Sequence, residues 1–414
     1  MKNNILNTLI MFCCFLLYTS STIGQDKALQ IKQQNENCDI PEQSQALFQE
    51  INESLKQSVQ LFPFTKGNAI PVVAPELYLA GSGFGLSVSS QQWKDIIATL
   101  DAFKNMNVDA VSVMIAAPDL TVGDSSSLIN FYQRLVNEIH LRKMKLYVEH
   151  FDNPPFSPHA YKNLQNTPQG KKEFLDMREK ELTIIYRTIK PDFLSIITEP
   201  ETMMRWTHLS FSAEELADWV GQVTTHLKSL GVSSNTLLGA GAGTWEPENF
   251  VIKLAQQKIL DYIDIHVYAL NSSVKETILH LDSLIHNVRK IEPAKKITIG
   301  ETWLYKHGIK EPVTFTMYKE TFFRDNFSFW SPLDQEFMGL IMGIAQKDDI
   351  SVVVPYFSQY FFTYYTFGDK DTENLPPWPG SVLTSWNEAI KSIHNHHLTS
   401  TGKAMSLMLN GIKK

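Results

Sequence analysis

Eight times from about residue 76 onward, a short apolar run is followed by a segment of helical period. The runs lie near 76–86, 108–117, 145–150, 191–199, 236–242, 262–269, 296–302 and 351–358. Several of them (VDAVSVMIAA, DFLSII, KITIG, SVVVPYF) are apolar at successive positions. A strand covered on both faces of a parallel sheet requires this, whereas a half-solvated strand would alternate. Helical patterns follow near 91–105, 125–143, 169–190, 212–230, 246–259, 272–290, 333–347 and 381–396, with polar or capping starts such as Ser90, Asp124, Ser212 and Ser331. Eight such units predict an α/β chain folded as a closed (β/α)8 TIM barrel. The competing open, doubly wound sheet usually carries a glycine-rich phosphate turn after its first strand. The nearest match, GSGFG at 81–85, lacks the full spacing and reads as a turn at the barrel mouth.

The 414 residues fit one barrel with insertions, and 43% hydrophobic content supplies its core. A net charge of -7 gives no footprint for nucleic acid. At the N-terminus, Lys2, the apolar run Leu9–Tyr18 and the small residues that follow have the order of a secretory signal ending near Gly24. The run is too short to span a bilayer comfortably, so neither an uncleaved anchor nor a stable membrane insertion after processing is expected. A lipid-attachment reading would use Cys13 or Cys14, whose preceding residues Phe12 and Cys13 suit it poorly. The expected organisation is a signal over 1–24, a polar lead-in and helix over 25–70 that packs outside or beneath the barrel, and a catalytic barrel over 71–414. The mature protein would be secreted or periplasmic. Cys38 would then be its one cysteine, which excludes an intramolecular disulfide and a cysteine metal site.

In a TIM barrel, chemistry sits where strands end and βα loops begin. Two glutamates occupy that place. Glu199 closes PDFLSIITEP on the fourth strand, and Glu301 closes KITIGET on the seventh. A charge that ends an apolar strand is out of place for packing alone. Strands three apart in an eight-strand ring can face their carboxylates across the mouth. Two carboxylates so placed suit glycoside cleavage: one protonates the leaving oxygen while the other attacks the anomeric carbon or activates water. Their environments must then push the two titrations apart. On the sixth strand Asp264, His266 and Tyr268 alternate onto one face, and Tyr268 could orient the nucleophile. The third strand ends with Glu149 and His150. No cofactor and no metal centre is expected.

The ordered motifs TEP on strand four, HVY on strand six and GETW on strand seven resemble clan A glycoside hydrolases, a group with many endo-β-glycanases. The resemblance covers about residues 76–398 and assigns no family within the clan. It implies Glu199 as acid/base, Glu301 as nucleophile, His266 and Tyr268 as supports, and His150 as a sugar contact. Position 198 is Thr where the clan usually carries an Asn that contacts the sugar 2-hydroxyl, which puts recognition at Thr198 in question. Asp119 stands near the end of strand two, where many members have an arginine.

Each of these residues has a plainer reading. Glu199 alone could be a helix N-terminal acid or half of an ion pair. His266 alone could be a satisfied core histidine, and Glu149 reads as a salt-bridged group behind the catalysts. The loops after strands three, seven and eight are long and rich in aromatic rings, which can stack on the C–H faces of sugars. Most of these rings should simply pack their loops. Trp303, two residues beyond Glu301, is the expected sugar platform. The leading expectation is a retaining glycosidase with a carbohydrate substrate. The alternatives are a non-catalytic carbohydrate-binding barrel, prompted by Thr198, and a metal-dependent hydrolase using His150, His266 and Asp264. The latter class commonly carries a His-x-His on strand one, and ELYLAGSGFG has no histidine. The sequence assigns no oligomeric state.

Overall fold

A computed structural model describes residues 39–66, 68–82, 89–122, 125–152, 164–231, 235–270, 272–311, 323–368 and 380–410. The expected signal, most of GSGFG, Asp124 and large parts of the three aromatic loops lie outside these residues. The strands are β1 (Val72–Val73), β2 (Ala110–Ala117), β3 (Lys145–Asp152), β4 (Phe193–Ser195), β5 (Leu237–Gly243), β6 (Tyr262–Val267), β7 (Lys296–Thr302) and β8 (Val352–Pro355). All pair in parallel, in the ring order β1-β8-β7-β6-β5-β4-β3-β2. The ring closes where the chain beyond β1 meets β2. Leu77 N–H donates to the Ser112 carbonyl at 2.8 Å, and Ser112 N–H donates to the Pro75 carbonyl at 3.1 Å. This is the (β/α)8 TIM barrel that the alternation predicts.

The first strand corrects the sequence reading. It is two residues, Val72–Val73, and not the run at 76–86. The apolar run beyond it turns into a short 3-10 segment, Tyr78–Ala80, that runs over the barrel rim. Two helices beyond the eight expected appear as well, Pro200–Thr207 and Ser400–Asn410.

The helix Glu42–Leu61 (α1) lies outside the barrel. Phe48 stacks on Trp330 with ring centres 5.7 Å apart, and Ser54 Oγ accepts from Lys275 N–H at 3.0 Å. These contacts set α1 against the helices Val274–Ile291 (α2) and Ser331–Lys347 (α3). Helix Ala213–Ser229 begins at Ser212 with the expected cap, completed by Glu215 into a reciprocal capping box. The cap expected at Ser90 falls one residue earlier, on Ser89.

Two cores follow from strand alternation. Residues such as Val111, Val113, Ile263, Ile265, Ile297 and Ile299 face outward and are buried under the helices. A smaller interior cluster holds Ala74, Ala110, Tyr147, Phe193, Tyr262, Val352 and Val354. Above this apolar floor the interior turns polar. Ser195 and Thr298 hydroxyls donate to the two Asp264 oxygens at 2.7 and 2.8 Å, and the Tyr147 hydroxyl sits 3.0 and 3.1 Å from them. These bonds fix which parity of each strand points inward.

Candidate active site

The site sits above that polar layer, at the C-terminal strand ends. On β6, Asp264 pairs in register with Thr298 of β7, but His266 pairs with Glu301, so β7 carries one extra residue. The same surplus appears against β8, where Ile299 faces Val353 but Thr302 faces Pro355. Thr298 points inward, so strict alternation would send Glu301 outward. The bulge at Gly300 re-aims it into the barrel. A Cβ at Gly300 would come within 2.3 Å of Asp264 Oδ1, so only glycine fits there.

Glu199 follows β4 and stands at the N-cap position of the helix Pro200–Thr207 (α4), yet its side chain makes no capping bond. The cap comes from elsewhere. Glu246, on the loop after β5, accepts from Glu201 N–H at 2.8 Å and Thr202 N–H at 3.3 Å with one oxygen, and from Gly243 N–H at 3.0 Å with the other. This displaces the plain reading of Glu199 as a helix-start acid. Its carboxylate instead reaches His266.

His266 connects the two glutamates. Its Nδ1 lies 2.9 Å from Glu199 Oε1 and 3.6 Å from Glu301 Oε2. Its other nitrogen, Nε2, faces Glu149 Oε2 at 3.5 Å and Asp264 Oδ2 at 3.9 Å. The Tyr268 hydroxyl donates to Glu301 Oε2 at 2.9 Å. The Tyr268 ring is clamped between Tyr305, stacked at 4.7 Å, and the tilted Trp245 ring at 5.7 Å. The structure therefore brings Glu199, Glu301, His266 and Tyr268 together. The side chain of Glu199 is 21% exposed and that of Glu301 is 7% exposed, so Glu199 is the one of the pair that meets solvent.

Electrostatics follow from crowding. Burial pushes Glu301 up to about 8, with Glu199 and Asp264 adding to it and His266 and Tyr268 opposing it. Burial lowers the basicity of His266, but Glu301, Glu199 and Asp264 outweigh it and carry the imidazole to about 9. Glu149 and Glu76 are fully buried; neither oxygen of Glu149 has a hydrogen-bond partner among the described residues, while Glu76 faces the Ser112 hydroxyl and the Met114 backbone. Burial drives both well above the ordinary carboxylate range, with Glu301 the next cause for each. Glu246 rises to about 8 through burial and then Glu199, against its three N–H donors.

His150 does not join this group. Successive strand residues point to opposite faces, and Tyr147 sets the inward parity of β3, so Glu149 points in and His150 points out. His150 is fully buried behind the sheet with Nε2 3.0 Å from Glu181 Oε2. Burial and then Arg178 hold its basicity well below the ordinary histidine value. Arg178 ties this outer cluster to the site by pairing with Asp152 and donating to the carbonyls of His150 at 2.9 Å and Ile196 at 2.6 Å. The trio His150, His266 and Asp264 is thus not assembled as a metal centre. Glu149, His266 and Glu301 do bring donor atoms within 4.8 Å of one another. Within this trio His266 Nδ1 is engaged by Glu199 and Glu301 Oε2 by Tyr268, whereas His266 Nε2 and both Glu149 oxygens make no hydrogen bond among the described residues.

Trp303 is fully buried against Tyr360 and Phe361 rather than lining the mouth. Tyr356, directly after β8, is the partly exposed ring near the carboxylates; after its own burial, Glu301 and then Glu76 raise its phenol. Thr198 is 5% exposed, immediately before Glu199. Sequence reasoning passed over Glu76, Glu246 and Tyr356. A carboxylate inside PVVAPELYLA was the available signal for Glu76.

No protein-family model and no curated protein matches this chain. Among solved structures, a GH5_18 protein from Streptomyces cattleya, solved with GlcNAc, matches at TM-score 0.52 and 11% identity over 83% of this chain and 80% of that one. A GH5_18 protein from Bifidobacterium longum matches at TM-score 0.48 and 13% identity, covering 70% of each chain. A family 5 mannosidase from Rhizomucor miehei matches at TM-score 0.46 and 13% identity over 83% of this chain and 96% of that one. The first of these shares the (β/α)8 barrel with this chain.

Proposed function

We propose that this chain is a glycoside hydrolase that cleaves β-linked bonds of a poly- or oligosaccharide with retention, by double displacement. The observation that carries the reading is the single nitrogen, His266 Nδ1, lying 2.9 Å from Glu199 and 3.6 Å from Glu301. Those two oxygens are therefore no more than about 6.5 Å apart, close enough for the two carboxyls to flank one scissile bond. Glu301 attacks the anomeric carbon as the carboxylate, the form that burial opposes and that the His266 imidazolium and the Tyr268 hydroxyl favour, while Glu199, the more exposed, protonates the leaving oxygen. The C1–O bond breaks as the bond from C1 to the Glu301 oxygen forms. Glu199, now ionised, takes a proton from the incoming water, which displaces Glu301. Tyr268 fixes the attacking oxygen. The order of TEP, HVY and GETW, similar to clan A, supports the same assignment.

Thr198 shortens the side chain that would meet the sugar 2-position, so substrate choice is placed there and on Tyr356. The apolar run Leu9–Tyr18 supports export to a secreted or periplasmic location. Among the described residues no helix is long and apolar enough to cross a membrane.

The test is a screen of the purified chain on a panel of β-glycans, with product anomers read by NMR. The reading expects hydrolysis with retained configuration, and Glu301→Gln abolishing turnover while sugar binding persists. Binding without turnover in the unaltered chain would identify the non-catalytic barrel instead.

A further inference from the structure

We propose that Glu149 is a positioning residue: it receives the Nε2–H of His266 and so holds the ring with its other N–H on Glu199. This rests on the glycosidase reading for its kinetic consequence, though not for its geometry.

His266 is 1% exposed, and its Nδ1 is engaged by Glu199 at 2.9 Å. Its Nε2 is buried with no hydrogen-bond partner, and so are both oxygens of Glu149. These orphans face each other across 3.5 Å. An unmade buried bond costs about 1–3 kcal/mol per group, so a closing movement of a few tenths of an ångström satisfies two such groups at once. Asp264 Oδ2 is farther, at 3.9 Å, and already accepts from Ser195. Glu149 is thus the free acceptor on that side of the ring.

The charged groups around His266 come from four directions: Glu149 on β3, Glu199 after β4, Asp264 on β6 and Glu301 on β7, with Tyr268 beyond and Glu76 behind Glu149. Every ion pair these carboxylates make among the described residues is to His266. An imidazolium held there damps the repulsion between Glu199 and Glu301 and keeps a donor on Glu199. Without an acceptor at Nε2, that proton is left buried and unpaired. The imidazolium form is then disfavoured and the ring is free to turn away from Glu199.

The chemistry separates two variants. In Glu149→Gln the amide oxygen still accepts from Nε2–H, so the ring is held. In Glu149→Leu nothing accepts. The experiment is 15N NMR of the histidine rings in the full chain against pH, paired with kcat and KM across pH on a β-glycan substrate. E149L should lose the His266 proton about one pH unit lower than the unaltered chain, with E149Q close to unaltered. The alkaline limb of kcat should move down with it in E149L, with KM little changed. Glu149→Met provides the same comparison if E149L does not fold. His266 titrating unchanged in E149L, or E149Q behaving like E149L, would overturn the proposal. If the unaltered chain hydrolyses no glycan, the glycosidase reading fails while the NMR comparison still decides the role of Glu149.

Discussion

Tyr268→Phe is the most informative single change. It removes one hydroxyl, which donates to Glu301 Oε2 at 2.9 Å, and keeps a ring stacked at 4.7 Å on Tyr305. Packing is conserved, so the effect isolates one bond to a carboxylate. Hydrogen bonds to charged groups contribute about 1.5–3 kcal/mol. Lost from the reacting oxygen, that corresponds to a fall of roughly ten- to 150-fold in kcat. The same bond lowers the proton affinity of Glu301, which burial has raised to about 8. Removing it should therefore shift the acid limb of kcat/KM toward higher pH by about one to two pH units. The assay is a pH series of kcat and KM for Y268F beside the unaltered chain, with melting curves to check the fold. A variant that melts normally and keeps its rate and acid limb would refute the role given to Tyr268 and weaken the assignment of Glu301.

Further outcomes follow from the same geometry. Glu199→Ala should slow cleavage of natural glycans far more than of aryl glycosides with good leaving groups, and azide should restore turnover; equal losses on both substrates would count against an acid/base role. Trp303→Ala should cost about 3–5 kcal/mol of stability because the ring is fully buried, whereas Tyr356→Ala, at a half-buried ring, should raise KM with a smaller fall in melting temperature; the reverse pattern would return the sugar platform to Trp303. Folded-state proton affinities of Glu76, Glu149, Glu181, Glu246 and Glu301 are all raised, so between the ordinary carboxylate range and about 8 the folded chain binds more protons than the unfolded one. Stability should therefore fall as pH rises from about 5.5 to about 8.5, with His150 offsetting only the acid side, and calorimetry showing a rise instead would contradict these assignments. EDTA should leave hydrolysis unchanged, and loss of activity on chelation would reopen the metal reading of Glu149, His266 and Glu301.

The barrel was legible because eight apolar runs alternate with eight helical patterns, and Glu199 and Glu301 were legible because a charge closes an otherwise apolar strand. What escaped has physical reasons. The first strand is two valines set between prolines, and the longer apolar run after it is the stronger signal although its described part passes into a 3-10 segment. Glu149 and His150 are adjacent, and alternation alone does not say which parity points inward. That is decided by the Tyr147 hydroxyl meeting Ser195 and Thr298 inside the barrel. Counting by twos from Glu301 sends Trp303 to the mouth, yet the chain leaves the sheet after Thr302 and the ring packs on Tyr360. Glu246 reaches α4 from another loop, a contact with no local pattern to betray it.

Covalent capture tests the nucleophile most directly. The chain would be incubated with activated 2-deoxy-2-fluoro-β-glycosides of the gluco, manno and galacto series, then digested and mapped by mass spectrometry. The expected result is one glycosyl group on the peptide bearing Glu301, released slowly as the β-anomer, and none in Glu301→Gln. A sugar attached to Glu199, Glu149 or another side chain would contradict it.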